Sequence, residues 1–388
     1  MKKWLAAALV LALLATPCIG EEAEQTDRME TAGVTLAAPS AVLMTENGQV
    51  LFEKNARDRR EPASVTKVMT LLLIMEAIDA GQIGWNDTVT ASETAAAKGG
   101  SQVYLKVGET MTVDEMVKSI AVSSANDCAC AMAELLAGSE SAFVEKMNQR
   151  AMELGMNDTH FVNCTGLDDD PSASEHKTSA HDIAIMSREL LTNHPDVKKY
   201  TTIWMDSVRN GTFGLSNTNK LVRFYSGATG LKTGFTHSAG YCLSASAQRD
   251  GLELIAVVMG CETSQDRFNA CRGMLDYGFA NYALYQGEMP ENTVVPVKLG
   301  KSDRVTAVPG ESGQLLVEKA QLSQITTDVE LDPEVTAPVS QGQRLGQMTL
   351  RCGEQILAQI PLVAEESVER LNWLDLFLEL LQKVCMGG

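Results

Sequence analysis

The sequence has few basic residues for its length. Its 388 residues include 32 Lys and Arg against 50 Asp and Glu, and the formal net charge is -18. A protein that follows a nucleic-acid backbone needs a basic face or stripe. No stretch of this sequence supplies one, so we exclude nucleic acid as a partner.

Closely spaced metal ligands are also lacking. The five histidines and nine cysteines do not occur in the paired spacings that bind structural zinc. No G-x-S-x-G motif accompanies the histidines, which argues against a Ser-His-Asp hydrolase. Cys128 and Cys130 lie two apart in a helical pattern, so their side chains point in different directions. We expect buried free thiols, no metal and no cofactor, and a disulfide between distant cysteines stays open.

Long apolar runs are lacking too, but two shorter ones lie at the ends of the chain. Residues 1–20 contain two lysines, a short apolar stretch and a small residue before an acidic start, which is typical of a secretory signal peptide. Residues 365–388 predict an amphipathic helix whose apolar side chains, Trp373 and Phe377 among them, cover a wide arc. Such a helix either lies in a membrane interface or docks on its own protein, and the residues alone leave both roles open.

The rest of the chain predicts two domains. Residues 21–283 begin with a hairpin pattern around Gly48, continue with a long helical block and return to strand patterns around Gly251. This order predicts an α+β domain in which helices flank an antiparallel sheet. Residues 284–364 contain short strand-like runs divided by Gly, Pro and Asp, which predicts a small all-β domain.

Residues 62–67, PASVTK, open the apolar run VMTLLLIMEAI. A serine hydroxyl becomes a good nucleophile only when a base takes its proton. Lys67, three residues after Ser64 on the same helix, lies over the same face and within reach of that hydroxyl. Burial against the apolar run, or a second cation nearby, would lower the pKa of Lys67 and leave its amine neutral. Ser64 and Lys67 are therefore a candidate nucleophile and base.

One S-x-x-K motif alone is weak evidence, because Ser174 and Lys177 form a second one in a polar loop. Two later motifs strengthen the first. S-A-N stands at residues 124–126 in a helical segment, and K-T-G stands at residues 232–234 on a predicted strand. The three motifs together predict acyl-transfer chemistry.

These motifs supply the other groups that acyl transfer needs. Ser124 can pass a proton between Lys67 and a leaving amine, while Asn126 can hydrogen-bond both the lysine and a substrate amide. Lys232 supplies a positive charge, which favours a neutral Lys67 and attracts an anionic substrate terminus. The predicted site therefore contains both catalytic and anion-binding groups.

The end of the K-T-G strand completes the predicted site. Thr233 can hydrogen-bond the substrate carboxylate, and Gly234 allows the strand to approach the substrate backbone closely. The backbone N–H groups of Ser64 and Phe235 could form the oxyanion hole. Phe235 would then act through its main chain only.

The trio SVTK, SAN and KTG, in this order, resembles the penicillin-recognising serine enzymes. The longer context, PASVTKVMT, VSSANDCACAMAE, THFVNCTGL and GLKTGFTHSAGYCLSASA, is similar more narrowly to the D-alanyl-D-alanine carboxypeptidases, the low-molecular-mass penicillin-binding proteins of bacterial cell walls. The resemblance is strong over about residues 35–285 and looser beyond. It implies a β-lactamase/transpeptidase-like catalytic domain, favours a membrane-surface role for the C-terminal helix, and places the protein on the extracytoplasmic face of the cytoplasmic membrane.

The resemblance also implies a reaction. Ser64 attacks the terminal peptide bond of a peptidoglycan stem peptide ending in D-Ala-D-Ala, D-alanine leaves, and water hydrolyses the acyl-enzyme. β-Lactams would trap Ser64 as a slowly hydrolysed ester. An arginine after the K-T-G strand commonly helps to bind the substrate carboxylate, and Arg267 is the candidate. Ala125 and Phe235 stand where the family often has other residues, which leaves the substrate preference open.

Two alternatives share the three motifs. A β-lactamase would need an efficient deacylating base, and Glu175 lies in a plausible region of the chain. A non-catalytic penicillin-binding sensor or scaffold would not need the intact catalytic side chains that this sequence has. Release of D-alanine separates the enzyme from the sensor, and the rate of acyl-penicillin hydrolysis separates it from the β-lactamase.

Overall fold

The computed structural model describes residues 36–169, 171–287, 289, 293–310, 314–373 and 377. The chain divides between Phe279 and Ala280 into two compact units. The expected signal segment, residues 1–20, lies outside the described residues, and so does most of the predicted helix over residues 365–388.

The first unit combines strands and helices. Its strands are β1 (Ser40–Thr45), β2 (Val50–Lys54), β3 (Thr88–Thr90), β4 (Thr110–Thr112), β5 (Met205–Val208), β6 (Phe213–Ser216), β7 (Ala228–Thr236), β8 (Gly240–Arg249) and β9 (Leu252–Cys261). Among the described residues, the α-helices are α1 (Lys67–Asp79), α2 (Glu93–Ala96), α3 (Val113–Ser123), α4 (Asn126–Ala137), α5 (Glu140–Glu153), α6 (Ala180–Asn193), α7 (Lys198–Thr201), α8 (Leu221–Phe224) and α9 (Ser264–Asn281). Shorter 3-10 helices span Ala63–Thr66, Pro171–Glu175 and Pro195–Val197.

A five-stranded sheet organises this unit. Its order is β2-β1-β9-β8-β7, and every neighbouring pair is antiparallel. Helix α6 packs on β1 and β9, and α1 packs on α6 and α4. The predicted α+β architecture, an antiparallel sheet flanked by a helical block, is confirmed. Strand β7 lies at one edge of the sheet.

Helix α1 lies inside the helical block because it is apolar on nearly all sides. Nine of its 13 residues are buried. Each large apolar side chain that leaves water contributes about 1.5–3 kcal/mol to folding, as an upper estimate. This burial includes Lys67, the first residue of the helix, so the same packing that stabilises α1 takes an amine out of water.

Two local predictions are confirmed in detail. The turn between β8 and β9 consists of Asp250 and Gly251, with φ of 50° and 83°. Positive φ at both positions is the geometry that Asp-Gly favours in a two-residue hairpin. At the start of α6, Ser179 Oγ accepts a hydrogen bond of 3.1 Å from the N–H of Asp182. This contact is the N-cap that the sequence predicts by placing Ser179 three residues before Asp182 at the start of a helical pattern.

The second unit is built from strands, as predicted. They are β10 (Tyr282–Gln286), β11 (Val294–Lys298), β12 (Arg304–Pro309), β13 (Gln314–Glu318), β14 (Ile325–Leu331), β15 (Val335–Thr336), β16 (Arg344–Cys352) and β17 (Gln355–Ala364), with a 3-10 helix at Lys319–Gln324. Six of them form a sheet in the order β14-β16-β17-β12-β11-β15, and β10 pairs with β13. Apolar side chains of this sheet form the unit's own core.

The described start of the C-terminal segment differs from the prediction. Val368 and Arg370 form antiparallel bridges with Val339 and Gly300. The predicted start of the helix at residue 365 is therefore wrong, because backbone pairing with the β domain holds this stretch extended. In the described part of the chain, no helix has the length and apolar character needed to cross a membrane.

Candidate active site

Ser64 and Lys67 lie at the junction of the 3-10 helix Ala63–Thr66 and α1. Lys67 Nζ is 2.9 Å from Ser64 Oγ. The three-residue spacing therefore brings the amine to the hydroxyl, as predicted. Ser64 is partly exposed whereas Lys67 is fully buried, so the pair can meet a substrate only from the serine side.

Lys67 is suited to act as a base. Burial lowers the pKa of its amine to about 7, against smaller opposing effects of Cys164 and Asp127. Nζ also donates a hydrogen bond of 2.7 Å to the carbonyl oxygen of Thr165. A neutral amine has N–H groups that donate to that carbonyl and a lone pair that can accept the proton of the Ser64 hydroxyl. Near pH 7, much of the enzyme therefore has a lysine that can accept the serine proton.

The predicted effect of Lys232 on Lys67 needs a correction. Burial, rather than a neighbouring cation, accounts for the lowered pKa of Lys67. The pKa of Lys232 is itself lowered, first by its own burial and then by Lys67 and Arg267. Lys232 Nζ donates to the Thr233 carbonyl at 2.9 Å, and no ion pair of the described residues includes it. An arriving carboxylate would supply the missing counter-charge.

The loop over residues 163–167 supplies the Thr165 carbonyl that bonds Lys67, a role that no sequence motif indicates. Asn163 Oδ1 accepts hydrogen bonds from the N–H groups of Thr165 and Gly166, at 3.1 and 2.6 Å. Gly166 has a φ of +79°, and a Cβ there would lie 1.8 Å from the carbonyl oxygen of Ala63. Only glycine allows this contact. It places the Thr165 carbonyl directly against the Ser64 turn.

Ser124 and Asn126 flank the junction of α3 and α4. Ser124 is the C-cap that follows α3, and it has a left-handed conformation with φ 62° and ψ 31°. Asn126 Nδ2 donates to the Gly99 carbonyl at 2.7 Å. The predicted hydrogen bond between Asn126 and Lys67 is not formed, because Lys67 Nζ bonds Ser64 and Thr165. Ser124 Oγ and Asn126 Oδ1 are buried without a hydrogen-bond partner in the described structure. Buried polar atoms are normally paired, so these two oxygens are available to a substrate.

Asp127 is a supporting residue that sequence reasoning missed. It is fully buried, and its Oδ2 accepts hydrogen bonds from the N–H groups of Val103 and Leu105, at 3.1 and 3.0 Å. Arg209 Nη1 donates to the Val103 carbonyl at 2.7 Å. The Asp127 carboxylate thus holds the loop that follows Gly99, whose carbonyl accepts the hydrogen bond from Asn126. Its only sequence signal is its place directly after that motif.

The K-T-G residues lie on β7, the edge strand of the sheet. Thr233 Oγ1 donates to Thr218 Oγ1 at 2.7 Å. A Cβ on Gly234 would lie 2.6 Å from the carbonyl oxygen of Pro62. The lack of a side chain at Gly234 therefore lets β7 approach the turn that bears Ser64. The sequence pattern predicts a close approach to the substrate backbone instead.

Phe235 follows the K-T-G motif at the same edge. Its side chain is 45% exposed and stacks on Tyr241 with ring centroids 4.3 Å apart. The ring has no polar atom, so any catalytic role must come from its backbone N–H. The role of that N–H in an oxyanion hole stays a prediction.

Arg267 does not lie free in the cleft. Its side chain projects from α9, and the residue is only 8% exposed. Nη1 donates to the carbonyl oxygens of Gly234 and Cys242, at 2.8 and 3.3 Å, and Nη2 donates to Ser264 Oγ at 3.3 Å. The guanidinium is thus engaged by the backbones of β7 and β8. The structure gives no support to the predicted contact with a substrate carboxylate.

His176 supports the Ser64 turn from within the protein. Its Nδ1 accepts a hydrogen bond of 3.2 Å from the N–H of Val162, and its Nε2 lies 2.8 Å from Thr66 Oγ1. Thr66 Oγ1 donates to the Ala63 carbonyl at 2.8 Å, so Nε2 must carry the imidazole proton. Burial lowers the pKa of His176 to about 4, which keeps this ring neutral.

We expect mild acid to destabilise the protein through His176. The pKa is about 4 in the folded protein against 6.5 for an ordinary histidine, so the unfolded chain binds the proton more readily. The stabilisation is complete above about pH 6.5 and is lost as the pH falls towards about 4, which amounts to about 3 kcal/mol. Urea unfolding across this range should show the loss in the wild type and a flatter profile in His176→Gln. The exposed His237→Gln is the control, and an unaltered profile in His176→Gln would contradict the assignment.

A second cluster of polar residues lies away from these motifs. Glu76, Glu189 and His194 bring three possible metal-ligand atoms within 4.8 Å of one another. Arg150 donates to both carboxylates, at 2.7 Å each. Since the arginine already neutralises these carboxylates, we interpret the cluster as an ion-pair network rather than a metal site.

Comparisons with known proteins agree over both units. Residues 24–263 match the family described as D-alanyl-D-alanine carboxypeptidase, and residues 285–370 match the penicillin-binding protein 5 C-terminal domain. The chain is 40% identical over 381 residues to D-alanyl-D-alanine carboxypeptidase DacF of Bacillus subtilis (strain 168), with 96% of each chain covered. Penicillin binding protein 5 from Haemophilus influenzae has 29% identity and a TM-score of 0.71, over 87% of this chain and 98% of that one. Penicillin-Binding Protein D2 from Listeria monocytogenes, in the ampicillin bound form, has 31% identity and a TM-score of 0.56, over 63% and 99%.

Proposed function

The chain belongs to the D-alanyl-D-alanine carboxypeptidase family, and on this basis we propose that Ser64 is its nucleophile and Lys67 the base that activates it. The protein is a serine-type carboxypeptidase that removes the terminal D-alanine from peptidoglycan stem peptides. One observation carries the residue assignment. Lys67 Nζ lies 2.9 Å from Ser64 Oγ, and the pKa of this amine is about 7.

In the proposed acylation step, neutral Lys67 accepts the proton of Ser64 as Oγ attacks the carbonyl carbon of the penultimate D-alanine. The N–H groups of Ser64 and Phe235 stabilise the negative charge on the carbonyl oxygen. Ser124 relays this proton from Lys67 to the leaving nitrogen as the C–N bond breaks, so D-alanine departs and Lys67 is neutral again. Water then attacks the ester carbon as Lys67 accepts a water proton. Lys67 returns that proton to Ser64 Oγ as the C–O bond breaks, which restores the free serine and the neutral lysine.

The K-T-G strand is proposed to bind the terminal carboxylate of the substrate. Lys232 is only 1% exposed and lacks an anionic partner among the described residues, so an arriving carboxylate would favour the charged form of this amine and pair with it. The Thr233 hydroxyl adds a hydrogen bond. Across the cleft, the unpartnered Oδ1 of Asn126 can accept an N–H of the substrate peptide. These contacts would place the scissile carbonyl next to Ser64.

β-Lactams are proposed to acylate Ser64 by the same steps. They offer an amide bond and a carboxylate in one small molecule, which matches the pairing of Ser64 with Lys232 and Thr233. The similarity to Penicillin-Binding Protein D2, whose structure is described as the ampicillin bound form, supports this proposal.

The β-lactamase and sensor alternatives are not favoured by the comparisons. Glu175, the candidate deacylating base of a β-lactamase, is exposed at the end of the 3-10 helix Pro171–Glu175. The contact between Ser64 and Lys67 is formed, as acylation of the serine requires. Release of D-alanine separates the enzyme from a sensor that is only acylated.

Turnover and its pH dependence test the proposed function. We expect release of D-alanine from a diacetyl-L-lysyl-D-alanyl-D-alanine peptide, with kcat/KM falling about tenfold per pH unit below about pH 7. The fall follows because protonated Lys67, whose pKa is about 7, cannot accept the serine proton. Labelling by fluorescent penicillin without any D-alanine release would favour the sensor. Turnover without the acid limb would remove Lys67 as the base.

The family acts on the wall side of the membrane, and we further propose export by residues 1–20 and attachment to the membrane surface by the C-terminal segment. Trp373 is 78% exposed and Phe377 is 54% exposed. These apolar side chains in contact with water support a surface that a membrane interface would bury. Flotation of the mature chain with liposomes, lost when the chain is cut after Asn372, is the expected result. Equal flotation of the truncated chain would contradict the attachment.

A further inference from the structure

Arg267 contacts the peptide unit that contributes to the proposed oxyanion hole. Its Nη1 donates a hydrogen bond of 2.8 Å to the carbonyl oxygen of Gly234. That carbonyl and the N–H of Phe235 belong to one peptide group, so they share its delocalised electrons. A cation that holds the carbonyl therefore acts on the N–H as well.

The geometry places this N–H at the free edge of β7, in the part of the strand that packs against the Ser64 turn. Nη1 also contacts the Cys242 carbonyl on β8, at 3.3 Å, so the Gly234 carbonyl lies on the β8 side of β7. In a trans peptide the N–H points away from the C=O, and the N–H of Phe235 therefore faces the free edge of the sheet. The turn that bears Ser64 packs against β7 at this residue, since a Cβ on Gly234 would lie 3.1 Å from the Val65 nitrogen.

The surroundings of Arg267 strengthen its effect. The guanidinium carbon lies 5.2 Å from the ring centroid of Tyr241 and 4.9 Å from that of Phe268. With only 8% exposure, the charge is screened little by water. Charge-assisted hydrogen bonds are about twice as strong as neutral ones, and a bond to the carbonyl makes the N–H of the same amide a better donor.

We propose that Arg267 is a positioning residue that orients and polarises the Gly234–Phe235 peptide and so strengthens the oxyanion hole. It does this from behind the strand, without contacting the substrate carboxylate. The inference rests on the proposed acyl-enzyme at Ser64, and it assigns a purpose to a buried cation whose Nη1 donates to two main-chain carbonyls.

The test compares Arg267→Gln and Arg267→Lys with a matched control, Arg249→Gln. Arg249 also donates to a main-chain carbonyl, that of Ser226 at 3.2 Å. It also stacks on two aromatic rings, at 4.6 Å from each centroid, but it has no contact with Gly234. Single-turnover acylation by a penicillin separates binding from chemistry. Difference infrared spectra of the acyl-enzyme, with ¹³C at the β-lactam carbonyl, report hydrogen bonding to the ester oxygen.

Arg267→Gln should slow the acylation step by about tenfold, less than the roughly 10²–10³-fold lost when an oxyanion donor is removed outright. The apparent binding constant should change little. The ester carbonyl band should move to higher wavenumber, because its hydrogen bond is weaker. Arg267→Lys should keep most of the rate and the band position, and Arg249→Gln should match the wild type.

Two results would overturn the inference. One is an unshifted carbonyl band in Arg267→Gln. The other is weaker penicillin binding with an unchanged acylation step, which would mean that Arg267 binds the carboxylate. If Arg267→Gln fails to fold, Arg267→Lys becomes the test. A folded Arg267→Lys with a shifted carbonyl band would overturn the inference, because a cation at the Gly234 carbonyl would then not be sufficient to strengthen the oxyanion hole. A wild type that forms no acyl-enzyme would instead contradict the proposed function itself.

Discussion

Ser64→Ala is expected to abolish the acyl-enzyme and to reduce D-alanine release by at least about 10⁴-fold. The reason is chemical, because alanine has no oxygen to form the ester. The loss should not come from unfolding, since Ser64 is partly exposed. Among the described hydrogen bonds, its Oγ takes part only in the one with Lys67 Nζ. Mass spectrometry after penicillin treatment and a D-alanine assay measure the two losses.

The second S-x-x-K motif offers a matched control. Ser174 is exposed, and Lys177 pairs with Glu61 at 2.7 Å rather than with the serine. Ser174→Ala should therefore label and turn over like the wild type. A penicillin adduct on Ser64→Ala, or loss of the adduct in Ser174→Ala, would show that the wrong serine has been assigned.

Lys67→Arg is expected to slow acylation by roughly 10²–10⁴-fold, the usual contribution of a general base. Arginine keeps the positive charge but does not lose its proton near neutral pH, so it cannot accept the proton of Ser64. The larger guanidinium must also fit a position with no exposed surface. Lys67→Met, which is neutral and apolar, should be equally slow and shows whether crowding is the cause.

The rate of penicillin acylation from about pH 6 to pH 9 measures this effect. In the wild type the rate should rise through the pKa of Lys67, about 7. In both variants we expect a low and pH-independent rate. Lys177→Arg, in the second S-x-x-K motif, should keep the wild-type profile. A variant of Lys67 that retained the acid limb would mean that another group titrates there.

Some features of the site follow from local geometry and were predictable. Helix geometry brings side chains three residues apart to the same face, so the spacing of Ser64 and Lys67 at the start of a helical apolar run predicts their contact. Strand patterns place the K-T-G motif on β7, and Asp-Gly predicts the turn between β8 and β9. Each of these predictions depends on neighbours in the chain, which the sequence displays directly.

Other features depend on segments that meet only after folding. Thr165 lies 98 residues from Lys67 in the chain, yet its carbonyl is 2.7 Å from that amine. The acceptor is a backbone atom, so no residue type marks it. Arg267 is the opposite case, because the family resemblance implied a contact with the substrate carboxylate while packing gives it the carbonyl of Gly234.

The sequence by itself determined which chemical groups are present and in what order, and it determined the local helices, strands and turns that carry them. Only the tertiary structure decided the state of those groups. Burial of α1 lowers the pKa of Lys67, and the close approach at Gly166 and Gly234 brings a loop and a strand onto the Ser64 turn. The reason is physical: periodicity and turn preference act between neighbouring residues, whereas desolvation and close packing depend on the whole set of segments that surround a side chain.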